Sequence, residues 1–127
     1  MNAQLESSSV KPVVVIVDDD PAIRGSLVFS LQTEGFAVRS YATGTELLGD
    51  LITEAECLVI DYHLPGMNGL DLLAELRRRH VRAPAILITT HPSAAVQKRA
   101  AAAGVSLVEK PLLGDALFQE IHVVLGA

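Results

Sequence analysis

The sequence predicts an α/β domain in which a five-stranded parallel sheet is covered by helices on both faces. Five short apolar runs recur along the chain, at Val13 to Val17, Phe36 to Tyr41, Cys57 to Ile60, Ala85 to Ile88 and Val105 to Val108. Segments with helical spacing separate them, and strand alternating with helix is the pattern of a parallel sheet. The first, third and fourth runs are apolar throughout, as strands buried on both faces must be. The second and fifth admit polar residues, which places them at the sheet edges.

Each element has its own justification. After the first strand, Ile23, Leu27 and Leu31 fall at i, i+4 and i+8 on one helix face, and that helix stops at Gly35. Phe36-Ala-Val-Arg-Ser-Tyr41 is the second strand. A shorter helix runs from Thr43 to about Asp50, with Thr43 as its N-cap and Glu46 at the capping-box spacing. Cys57-Leu-Val-Ile60 is the third strand. Leu70, Leu73 and Leu76 or Arg77 mark the third helix, which ends before Pro84. Beyond the fourth strand, Ser93 to Ala103 is an alanine-rich helix closing at Gly104, a natural residue just past a helix end. Val105-Ser-Leu-Val108 is the fifth strand. The last helix runs from about Gly114 to Leu125, with Leu117, Ile121 and Val124 or Leu125 on one side.

The chain of 127 residues fits one domain large enough to bury its own core. Residues 1–12 read as a loose polar tail, with Ser7, Ser8 and Ser9 in a row, and residues 13–127 as the domain. The tail lacks the basic start and apolar middle of a secretory signal, which points to a cytoplasmic protein. No apolar stretch approaches the roughly 20 residues of a membrane span. Ten basic against fifteen acidic residues give a net charge of −5, and the largest basic cluster is Arg77-Arg78-Arg79, which argues against nucleic-acid binding by this chain alone. That cluster reads as the wet end of the third helix, where cations also suit the helix dipole. Cys57 has no cysteine to pair with and reads as a small buried hydrophobe.

Chemistry gathers at the strand ends. Asp18-Asp19-Asp20 follows the first strand, Asp61 ends the third run, Thr89 ends the fourth and Lys110 closely follows the fifth. A solvated acidic turn capping the next helix accounts for Asp20 but leaves Asp18 and Asp19 unexplained. Adjacent carboxylates repel one another unless a cation is present. Mg²⁺ suits such a cluster, because it takes one or two carboxylates, keeps waters and accepts phosphate oxygens. A metal ion, a hydroxyl and an ammonium around one carboxylate are what an incoming phosphoryl group needs about its oxygens. The central carboxylate would then be the nucleophile.

The runs Val-Asp18-Asp19-Asp20-Pro-Ala-Ile-Arg24, Val-Ile-Asp61-Tyr-His-Leu-Pro65-Gly66-Met67-Asn68-Gly69-Leu, Ile-Leu-Ile-Thr89 and Val-Glu-Lys110-Pro111 strongly resemble the receiver domains of two-component response regulators, over about Val13 to Leu125. They look most like the receivers that precede helix-turn-helix transcription factors of the nitrogen-fixation type. The resemblance implies a doubly wound, flavodoxin-like sheet in the order 2-1-3-4-5. It makes Asp61 the phosphoacceptor, with Mg²⁺ bound directly by Asp19, through a water by Asp18, and also by Asp61 and the backbone carbonyl of His63. Thr89 and Lys110 would bind phosphoryl oxygens, and the Lys110–Pro111 bond would be cis. Pro65 and Gly66 would turn the loop, and Gly69 would allow a close backbone approach. A sensor histidine kinase or a phosphotransfer protein would be the donor. The face made by the fourth helix, fifth strand and fifth helix would carry the output, with a homodimer as one use of it.

Two positions depart from the family pattern. Thr90 stands where Ala or Gly is usual, which narrows access to the phosphoryl group. Leu107 stands at the switch position where Tyr or Phe is usual, which puts the standard coupling of site to surface in doubt. His63 and His91, each two residues past a site residue, either influence water attack on the acyl phosphate or are ordinary loop residues. His80 and His122 read as surface residues on helices, and the four histidines lack metal-ligand spacing. Ala100 to Ala103 reads either as a good helix former or as part of the output face. A second reading, from another class, is a Mg²⁺-dependent phosphohydrolase with a strand-end aspartate nucleophile. Asp18 and Asp20 have the spacing for it, whereas Asp61 and Lys110-Pro111 favour the receiver.

Overall fold

A computed structural model describes residues 11–50, 54–112 and 115–126. The five strands are β1 (Val13–Val17), β2 (Ala37–Tyr41), β3 (Ala55–Asp61), β4 (Ala85–Thr89) and β5 (Ser106–Glu109). The helices that alternate with them are α1 (Pro21–Thr33), α2 (Gly44–Leu48), α3 (Gly69–Arg78), α4 (Ala94–Ala102) and α5 (Ala116–Val124). All pairings are parallel, and the strand order is 2-1-3-4-5. The expected edges, β2 and β5, are the edges observed.

Alternation along the central strands divides the core in two. Val15 and Val17 of β1, Leu58 and Ile60 of β3, and Ala85 and Leu87 of β4 face one layer. There they meet Leu47 of α2, Leu70, Leu72, Leu73 and Leu76 of α3, and Ala100 of α4. Val14, Ile16, Cys57, Val59, Ile86 and Ile88 face the other, against Leu27 and Leu31 of α1 and Leu117 and Ile121 of α5. A strand buried on both faces can spare neither set of side chains, so β1, β3 and β4 read as unbroken apolar runs. β1 and β3 slip register between Val13 and Val14, where Glu56 is the extra residue and accepts a hydrogen bond from the Val13 N–H at 3.3 Å.

Four of the five described helices begin on side-chain caps, whereas α5 starts after Asp115 without one. Asp20, Thr43, Asn68 and Ser93 accept from the first free N–H groups of α1, α2, α3 and α4. Glu46 reaches back to the Ala42 N–H at 2.8 Å, one residue before the cap itself. α2 is shorter than the spacing suggests, since it ends at Leu48. Gly114, the expected start of the last helix, and most of the expected tail lie outside the described residues.

Three helices end alike. The N–H of Phe36 returns to Leu31, that of Val81 to Leu76 and that of Val105 to Ala100, each at 2.9 to 3.0 Å, around a residue with positive φ. Gly35 and Gly104 fill that position after α1 and α4, as expected. After α3 it is His80, at φ 68°, so this histidine lies just past the helix and not on it. Histidine enters this region more readily than bulkier or β-branched residues.

The arginine cluster is only partly the wet helix end foreseen. Arg78 and Arg79 are exposed and pair with Glu75. Arg77 is half-buried, donates to the carbonyls of Val81 at 2.9 Å and Ala83 at 2.7 Å, and ties down the turn into β4. α4 is the opposite case. It buries Ala100 alone, packs Val96 partly, and joins α3 through an Arg99–Asp71 ion pair at 2.9 Å.

Candidate functional site

Because the order is 2-1-3-4-5, the chain reverses direction across the sheet between β1 and β3, and their carboxyl ends flank a crevice. Asp18 stays in line with β1, since its N–H donates to the Tyr41 carbonyl at 3.1 Å. Asp61 is the last residue of β3. Both are buried, at 0% and 3% exposure, and so is Thr89 at the end of β4, at 1%. Asp19 and Asp20 are exposed.

Lys110 comes in from beyond β5. Its N–H bonds the Thr89 carbonyl at 2.8 Å, and its Nζ lies 3.0 Å from Asp61 Oδ2 and 3.3 Å from Asp18 Oδ2. The Lys110–Pro111 bond is cis, as the resemblance implies. The other Asp61 oxygen, Oδ1, accepts the His63 N–H at 3.1 Å. Asp18 Oδ1 accepts the Asp20 N–H at 2.9 Å, and Asp20 in turn caps α1. The β1–α1 turn is thus tied at both ends with Asp19 between them.

Gly69 explains how the Asp61 loop closes. Its N–H bonds the Tyr62 carbonyl at 2.8 Å, and a Cβ there would fall 2.6 Å from the Asp61 carbonyl oxygen. Only glycine lets α3 start this close to the site. Gly66, at φ 83°, makes the turn before it.

The electrostatics are unbalanced. Burial pushes the Asp18 carboxyl above its ordinary range, and the Asp61 charge adds to this against the Asp20 N–H and Lys110. Burial alone would lower Lys110. The hydrogen bond to Asp61 and the fields of both aspartates outweigh it and hold the ammonium above the usual lysine value. Asp18 Oδ2 is fully buried and faces the Lys110 ammonium, at 3.3 Å, with no well-formed hydrogen bond. Oxygens of Asp18, Asp19 and Asp61 lie within 4.8 Å of one another. Three carboxylates against one ammonium leave two negative charges, which a divalent cation cancels. A buried carboxylate oxygen with no well-formed hydrogen bond, beside two other carboxylates, is a donor set that suits a hard cation.

Thr90 is exposed and follows Thr89 directly, and His91 is exposed with φ 48°. The His63 side chain is exposed, with its ring edge-on to Tyr62 at 5.0 Å. Leu107 pairs with Leu87 in register and packs partly on the α3 and α4 side of the sheet. Together with Val108, Gln119 and Val123 it also lines an open groove beside α5. One contact gave no warning in the sequence: Arg24 Nη1 donates to the Asp18 carbonyl at 2.7 Å. The only hint was that Arg24 is the sole charged residue of α1.

Carboxylates at the ends of β1 and β3, a lysine reaching them from beyond β5 and a buried threonine between define a receiver. Residues 14–122 match the response regulator receiver domain family, and the chain belongs to it. Nodulation protein W of Bradyrhizobium diazoefficiens is 33% identical over 116 residues, which are 90% of this chain and 51% of that protein. Transcriptional regulatory protein FixJ of Azorhizobium caulinodans is 32% identical over 115 residues, 89% of this chain and 54% of that protein. Among solved structures, the receiver domain protein of Methanospirillum hungatei superposes with a TM-score of 0.84 at 28% identity, covering 92% of this chain and 95% of that one. FixJ-N gives 0.81 at 30% identity, with the same coverage. The chain spans about half the length of the curated relatives it matches. It is a two-component signalling domain, and the phosphohydrolase reading is not favoured. Among the described residues no helix is long and apolar enough to cross a membrane.

Proposed function

We propose that Asp61 accepts a phosphoryl group from a phosphohistidine on a sensor histidine kinase or phosphotransfer protein. The observation that carries this is the placement of Asp61, a nearly buried carboxylate with Lys110 on one oxygen and the His63 N–H on the other. Asp18, Asp19, Asp61 and the His63 carbonyl would hold Mg²⁺, which supplies charge neutralisation for the transferring group. An Asp61 oxygen forms the new P–O bond as the P–N bond breaks, and the electron pair leaves with the partner's imidazole. Lys110 passes from the carboxylate to a phosphoryl oxygen, and Thr89 turns its hydroxyl to another. Such donors act most strongly in a site already ordered around them.

Thr90, His63 and His91 stand at the entrance and set how readily donor and water reach the phosphoryl group. Leu107 takes the place of an aromatic switch, so the signal leaves through packing at β5 and not through burial of a ring. The output surface is the face of α4, β5 and α5, where two copies of the chain would pair. Residues 13–127 would form the receiver, and the setting would be cytoplasmic; the expected tail falls mostly outside the described residues. Transcriptional regulatory protein FixJ is about twice as long as the stretch that matches, so in that relative DNA control would lie outside the receiver.

Incubation with acetyl phosphate and Mg²⁺, followed by mapping of the acid-stable, hydroxylamine-labile label, tests the assignment. Label should sit on Asp61 and vanish in Asp61→Asn. Label on Asp18 would instead support hydrolase chemistry.

A further inference from the structure

The Arg24 contact lies outside the roles discussed so far, and we infer that Arg24 is a positioning residue for Mg²⁺, acting through the backbone of Asp18 and Asp19. The inference rests on the reading of Asp19 as a metal ligand. Arg24 is the fourth residue of α1 and is half-buried. Its guanidinium donates to the Asp18 carbonyl, the acceptor in the peptide that joins Asp18 to Asp19. The same turn is held by the Asp18 N–H on Tyr41 and by the Asp20 N–H on Asp18 Oδ1. Those two bonds fix the chain on either side of Asp19. Neither fixes the plane of the Asp18–Asp19 peptide, and that plane sets the direction in which the exposed Asp19 carboxylate leaves the backbone. Arg24 fixes it.

The short 2.7 Å distance and the charged donor make this a strong bond of its kind. It also spans the turn, because Arg24 rides on the helix that Asp20 caps. Helix, turn and strand end are thereby one unit, and a ligand held at fixed direction loses less freedom when the cation arrives.

Arg24 brings a positive charge toward an acidic loop, and that effect alone would weaken cation binding. The two roles therefore predict opposite signs. If positioning dominates, removing the guanidinium loosens Mg²⁺; if charge dominates, removal tightens it.

Calorimetric titration of the whole chain with Mg²⁺, for wild type, Arg24→Met, Arg24→Lys and Asp19→Asn, separates these cases. We expect Arg24→Met to raise the dissociation constant roughly tenfold, the lower end of what partners behind a metal ligand contribute. Arg24→Lys, which keeps a donor and the charge, should recover part of that loss. Thermal unfolding in EDTA shows whether Arg24→Met is merely less stable, since a purely structural role lowers Tm and leaves the Mg²⁺ affinity of the folded protein alone. Should Arg24→Met not fold, Arg24→Gln takes its place with the same expected loss. Unchanged or tighter Mg²⁺ binding by the neutral variant, with Asp19→Asn impaired, overturns the inference. If Asp19→Asn binds as wild type does, the metal-ligand reading itself has failed.

Discussion

The backbone of Gly69 lies so close to that of Asp61 that a methyl group on Gly69 would meet the Asp61 carbonyl oxygen at 2.6 Å and Leu87 Cδ1 at 2.8 Å. The leucine can turn aside, but the backbone carbonyl that ends the central strand cannot. Gly69→Ala should therefore cost about 1–3 kcal/mol, the usual range for overpacking. It should also slow phosphoryl transfer, because α3 can regain space only by drawing the Asp61–Asn68 loop away from the site. Urea unfolding and acetyl phosphate loading measure the two effects. Loss of stability with normal loading would show that the loop absorbs the strain without moving Asp61.

Asp18 makes the metal-free protein less stable than it could be. Its folded carboxyl titrates above the ordinary 3.8, through burial first and the Asp61 charge after it. A carboxyl raised in this way favours folding below its unfolded value and loses that contribution as pH rises through the folded value. At neutral pH the ionised group is thus a net cost. Asp18→Asn should raise Tm in EDTA by a few degrees and flatten the fall in stability above pH 3.8. With Mg²⁺ the order should reverse, since ligand binding to the folded state stabilises only the protein that retains the site. Equal Tm values in EDTA would mean that Lys110 already neutralises Asp18 in full.

Thr90 is exposed and directly follows the buried Thr89, and the proposed function places it at the entrance of the site. Thr90→Ala should speed loading from acetyl phosphate and hydrolysis alike by a few-fold, because the entering oxygen must approach roughly in line with the leaving one. Time courses of phosphorylated protein report both rates. Identical curves would place the Thr90 side chain away from the approach path.

Cys57 is fully buried on β3, facing the α1–α5 layer, and burial pushes its thiol up to about 12. Thiolate is the reactive form, so the native protein should resist thiol reagents at neutral pH. Labelling should proceed only at the rate of unfolding and rise steeply in urea. Prompt labelling of folded protein would contradict this burial.

Much of this architecture was legible because buried parallel strands leave no polar positions. Val13 to Val17 and Ala85 to Ile88 could hardly have been anything else, and the carboxylates that follow them stand out by contrast. The strand order was legible only through the family resemblance, since alternation of strand and helix does not say which strands are neighbours. Contacts made by long side chains across a turn stayed hidden. Arg24 and Arg77 look like solvent-facing residues on their helices, yet each reaches a backbone carbonyl that the fold brings near. His80 was misplaced for a related reason: nothing in its side chain marks it for the left-handed position that glycine fills after α1 and α4.

The difference between α3 and α4 bears on what this domain can transmit. Each leucine that α3 buries holds it with roughly 1.5–3 kcal/mol of apolar transfer, and four of them make α3 a fixed wall. α4 has one buried alanine and an exposed ion pair, and pairs of that kind contribute about 0–1 kcal/mol. A nine-residue helix is also marginal on its own. Its position is therefore set by shallow forces comparable to a single new hydrogen bond, such as one between Thr89 and a phosphoryl oxygen. One helix is anchored by its leucines; the other is seated so shallowly that a small change in energy can move it.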